Sequence, residues 1–177
     1  MFYLAVCSPF VLLEIGSARV TPFVVCDLSS FVHDELIARG MLNDFDNNQA
    51  HQIRCVHPLV TLLEKIDALH RRALNNEIEP ASFVRHFEDA ARIILAEKQL
   101  PPLIEYKNVK ELAQEMIDQK QIAAMREDAD AAFVLHDGPR TQAIQTAYTA
   151  LNAMYWGERI DLGTACTEIR RWVGRNL

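Results

Sequence analysis

The chain has 177 residues, 50% of them apolar and 24% charged, a balance that fits one compact domain or two small ones. It excludes disorder and fibrous repeats. Eighteen basic against 24 acidic residues leave a net charge of −6, so the chain as a whole lacks the electrostatic footprint of a general nucleic-acid binder.

The apolar stretch from Phe2 to Leu13 is interrupted by Ser8 and Pro9 and has no basic flank before it. It is too short to span a bilayer and lacks a secretory leader, so no membrane partner and a cytoplasmic location are expected. The four cysteines, Cys7, Cys26, Cys55 and Cys166, never form a C-x-x-C pair, which removes the usual zinc and thioredoxin-like readings. Reduced, mostly buried thiols are expected. The six histidines show no H-E-x-x-H pairing, so no zinc is assigned.

The first third reads as strand-rich. Phe2–Cys7 and Val11–Ile15 are β-branched and aromatic runs separated by Ser8-Pro9, where proline disfavours continued pairing. Pro22–Cys26 is a further short strand. Asp27 or Ser29 then caps a helix running to Arg39, and Gly40 stands where a helix end tolerates positive φ. Asn43–Gln49 is turn material; its D-x-D-x-N start resembles a calcium loop but lacks the glycine and the closing glutamate. His51–Val56 returns to an extended pattern.

From Pro58 the period becomes helical. Leu59, Leu62, Leu63, Ile66 and Leu69 define one apolar face reaching to about Leu74. Ser82 is a candidate cap for a second amphipathic helix through Phe83, Val84, Phe87, Ala91, Ile94 and Leu95. Helical patterns follow at about Val109–Glu127, Arg140–Trp156 and Leu162–Val173, with Gly138-Pro139 and Gly157 as punctuation. The predicted class is α+β: a small mixed β-sheet over residues 1–57, then a helical bundle over 58–177.

Three patches carry candidate chemistry. Glu14 sits inside an apolar strand, where it either faces solvent or holds a divalent ion. On the first long helix Lys65 and Arg72 lie two turns apart on one stripe, with Ala68 between them keeping it open; such a stripe can grip phosphate. Its bland alternative is a solvated face with weak Glu64/Lys65 and Asp67/Arg71 pairs. On the next helix Arg85, Asp89 and Arg92 alternate in charge while Val84, Phe87 and Ala91 face inward, which again suits stabilising charge pairs. A short loop joins the two helices, so Lys65 and Asp89 are predicted to meet at their shared edge.

Taken in order, L-L-E-I-G at Leu12–Gly16, H-P-L-x-T-L-L-E-K-I-D-A-L-H-R-R at His57–Arg72 and R-H-F-E-D at Arg85–Asp89 resemble the AbiEii/AbiGii-type nucleotidyltransferase toxins. The likeness covers about Val11 to Leu95. It implies a nucleotidyltransferase sheet remnant and transfer of a nucleotide from an NTP with Mg²⁺. By resemblance Glu14 is the strand acid at the metal site, Lys65 contacts nucleotide phosphate, Arg72 and Arg85 assist nucleotide binding, and Asp89 is the acid of the last motif. Such chemistry needs positioning and charge neutralisation, which a lysine point charge and carboxylates supply.

The family's upstream Gly-Ser turn and D-x-D pair have no counterpart here, so the chain resembles the C-terminal portion of that fold. A lone carboxylate leaves a two-metal site underligated. Little or no transferase activity is therefore expected of the chain alone. The resemblance implies an antitoxin partner and an RNA acceptor, and open strand edges imply a homodimer. The alternative is a non-catalytic helical module for protein interaction.

Overall fold

A computed structural model describes residues 19, 21–46, 49–123, 132–155 and 157–177. The expected strands Phe2–Cys7 and Val11–Ile15, and with them Glu14, lie outside the described residues. The class is α+β, with two compact units, residues 18–57 and the helical stretch from Pro58 to Leu177.

In the smaller unit β1 (Phe23–Leu28) pairs antiparallel with β2 (Ala50–Val56) in the register Phe23↔Val56, Val24↔Cys55, Val25↔Arg54 and Cys26↔Ile53. Among the described residues the sheet therefore has two antiparallel strands, with an irregularity between Cys26 and Leu28. β1 runs past Cys26 because Asp27 serves the sheet. Its Oδ1 accepts the Gln52 amide at 2.9 Å and its Oδ2 lies 3.2 Å from His51 Nδ1. Gln52 takes a positive φ of 56° at that point. The helix cap consequently falls to Ser30, whose hydroxyl accepts from the His33 amide at 3.1 Å, and α1 spans Phe31–Ala38. Gly40, at φ 68°, closes α1 with bonds from its own amide to Ile37 and from Met41 to Leu36, the pairing that a left-handed terminal residue permits.

In the helical unit α2 (Pro58–Ala73) starts on proline, whose missing N–H costs nothing at a helix start. Its apolar stripe of Val60, Leu62, Leu63, Ile66 and Leu69 is buried. α3 (Arg85–Leu95) packs against both α2 and α6 (Leu162–Asn176). Ser82 does not cap α3; it sits in a 3-10 turn (Pro80–Ser82) and its hydroxyl donates to the Glu79 carbonyl at 2.7 Å. α4 (Val109–Asp118) ends well before Glu127. α5 (Pro139–Ala150) passes into a 3-10 turn at Leu151–Met154. α6 buries Leu162, Ala165, Cys166, Ile169, Trp172 and Val173 at helical spacing, and Trp172 Nε1 reaches back to Glu97 at 3.0 Å. No helix among the described residues is long and apolar enough to cross a membrane.

Candidate functional site

The inward positions of α2 are apolar, so Lys65, three residues after Leu62 and one before Ile66, stands at the rim of the buried stripe. On α3 the inward set is Phe87, Ala90, Ala91 and Ile94, which leaves His86 and Asp89 at the matching rim. There Lys65 Nζ donates to Asp89 Oδ2 at 2.8 Å. His86 Nδ1 lies 3.4 Å from the ammonium and 4.0 Å from the carboxylate. The three side chains are only 22%, 34% and 13% exposed for Lys65, Asp89 and His86. Burial works to raise the Asp89 pKa, but the nearby His86 and the hydrogen bond and charge of Lys65 outweigh it and hold the carboxyl below its ordinary range. The cluster is small, partly desolvated and charge-balanced.

These contacts bring together two of the residues singled out from sequence, Lys65 and Asp89. Arg85 is exposed at the start of α3 and Arg72 is half-buried near the end of α2. Among the described residues no ion pair joins either to the cluster. Glu14 has no described position. Arg92, expected beside Asp89, instead pairs with Glu88, with Nη2 at 2.7 Å and Nε at 3.1 Å from Oε1.

Glu88 is the residue that sequence reasoning passed over. It is fully buried, and its second oxygen accepts from Arg159 Nε at 2.7 Å. The Arg159 guanidinium lies over the rings of both Tyr148 and Tyr155, 4.5 and 4.4 Å from their centroids, two cation–π contacts. Its Nη1 reaches the Tyr148 carbonyl at 3.0 Å and Asn152 Oδ1 at 2.6 Å. Burial pushes the Glu88 pKa up, yet Arg159 and Arg92 together hold it below its ordinary value. Burial first, then the nearby charges of Asp89 and Glu88, raises the Tyr155 pKa. The signal in the sequence was the Glu88/Arg92 spacing beside Phe87 and Ala91, an acid inside an apolar stripe.

Asp67 was likewise expected on the surface. It is buried, with Oδ2 accepting from Arg71 at 2.7 Å and Oδ1 from the Ala123 amide at 3.0 Å, so its role is to tie α2 to the segment after α4. Among the described residues no group of three or more His, Cys, Asp or Glu is placed to hold a metal ion. Asp89, its Oδ2 taken by Lys65, does not by itself make a Mg²⁺ site.

No family model matches the chain, and neither a curated protein nor a solved structure matches it.

Proposed function

We propose that the protein is a nucleotidyltransferase-like nucleotide binder of the AbiEii type in which Lys65 receives a phosphate group in exchange for Asp89. One observation supports this reading: the residues of two separate sequence motifs, E-K-I-D-A-L-H-R-R and R-H-F-E-D, meet as the 2.8 Å Lys65–Asp89 pair with His86 beside it. A compact ammonium at the edge of a helix pair suits a multiply charged phosphate, which outbids a single carboxylate. Mg²⁺, an RNA acceptor, an antitoxin and homodimerisation belong to the same proposal and follow from the resemblance alone.

Calorimetric titration with ATP, GTP, CTP and UTP, with and without Mg²⁺, tests it. Saturable binding of at least one nucleotide is expected, weakened tenfold or more by Lys65→Ala and retained by Asp89→Asn. If none of the four saturates, or if Lys65→Ala binds as the parent does, the reading is wrong. The second reading, a non-catalytic interaction module, is favoured by the apolar side chains that α1 presents to solvent, Phe31 at 96% exposure with Val32 and Ile37.

A further inference from the structure

Cys26 and Cys55 are far apart in sequence and belong to no spacing motif, yet the strand register makes them neighbours. Cys55 stands opposite Val24 and Cys26 opposite Ile53, so the two cysteines are diagonal partners on one face of the β1–β2 ladder. Their thiols hydrogen-bond to each other, and both are half-buried and free of any disulfide.

Diagonal partners in an antiparallel pair have Cα atoms about 7–8 Å apart. A disulfide wants about 4.4–6.8 Å, so a direct sulfur–sulfur bond here would need the backbone to move. An ion held between the sulfurs, with bonds of about 2.3 Å on each side, spans the wider gap without that movement. Among the described residues no third His, Cys, Asp or Glu joins the pair in a metal-binding group. Asp27, the adjacent acid, is engaged by the Gln52 amide and His51. Two soft sulfurs suit a monovalent soft ion, whereas zinc prefers four ligands.

We propose that Cys26 and Cys55 form a two-thiolate site for a soft monovalent cation of the Cu(I) class. Binding replaces the two S–H protons, which pass to solvent, by two metal–sulfur bonds; no electron is transferred.

Anaerobic titration of the full chain with Cu(I) against a bicinchoninate competitor tests the site. One equivalent is expected to be withdrawn from the competitor. Cys26→Ser and Cys55→Ser should each weaken that binding at least tenfold, while Cys166→Ser leaves it unchanged; far-UV circular dichroism confirms that each variant is folded. The proposal is overturned if the parent withdraws no copper, if either strand variant binds as the parent does, or if Zn²⁺ displaces Cu(I) at equal concentration. It also fails if oxidised glutathione rapidly converts the native protein to an intramolecular Cys26–Cys55 disulfide, read as a two-hydrogen mass loss, since the diagonal spacing would then not hold the sulfurs apart.

Discussion

Glu88 shows how one buried charge ties an architecture together. Its carboxylate is fully buried and meets Arg92 from its own helix and Arg159 from the segment before α6. Removing one member of such a set strands the others: Glu88→Ala leaves the mostly buried Arg159 side chain, 13% exposed, without its carboxylate, a loss of about 3 kcal/mol in urea unfolding. Lys65→Ala removes a partly solvated pair and costs far less. The acid side of the pH profile follows from the same residue. The folded-state pKa of Glu88 is depressed, so its contribution is complete above the unfolded value of 4.5 and drains away as pH falls below it toward the folded pKa. Thermal midpoints between pH 3 and 7 should therefore fall less steeply toward acid in Glu88→Gln than in the parent, and an equally steep fall would show that Glu88 does not govern this limb. The sequence already held a clue, a glutamate with arginine one turn on, but nothing in it revealed Arg159, because that contact depends on how α3 meets α6.

Helix interiors were legible and helix ends were not. The apolar repeats of α2, α3 and α6 recur as buried stripes because burial follows the 3.6-residue period whatever the neighbours are. Ends depend on competing partners: Asp27 was drawn into the sheet, so capping fell to Ser30, and Ser82 turned its hydroxyl to Glu79. The end of α2 has an unusual closure. Arg140, at the start of α5, donates to the carbonyls of Arg72, Ala73 and Ile78 at 2.9, 2.9 and 2.8 Å while its guanidinium lies over the Phe83 ring. The planar fork offers three separate nitrogens to three spread acceptors, whereas a lysine's donors share a single nitrogen. Arg140→Ala should destabilise the protein by about 1–3 kcal/mol by orphaning these carbonyls, and Arg140→Lys should restore little of it. Amide exchange localises the effect, with protection lost first in the last turn of α2. At α6 the cap is Asp161, whose carboxylate accepts from the Thr164 amide at 2.9 Å and from its hydroxyl at 2.5 Å. Asp161→Ala should cost about 1 kcal/mol, seen as a lowered urea midpoint with unchanged slope.

At the scale of the whole molecule the apolar burial is unevenly shared. Among the described residues the buried hydrophobic side chains, from Val60 to Val173, belong to the helical unit. In the unit of residues 18–57 the large apolar side chains Phe23, Val25, Leu28, Phe31, Val32 and Phe45 are exposed. Alternation could identify the strands there but could not reveal their register, and without register the Cys26/Cys55 neighbourhood was invisible. The same imbalance separates the two units in stability. A two-stranded ladder with little apolar cover is marginal in water, whereas α3 is buried against α2 and α6. Native-state hydrogen exchange should therefore find β1 and β2 amides opening at a lower free energy than those of α3, and low urea should speed exchange in α3 more steeply because its opening exposes more surface. If β1, β2 and α3 amides exchange with one common free energy and one urea slope, the two units unfold as a single cooperative block, and the exposed apolar side chains of the smaller unit do not weaken it.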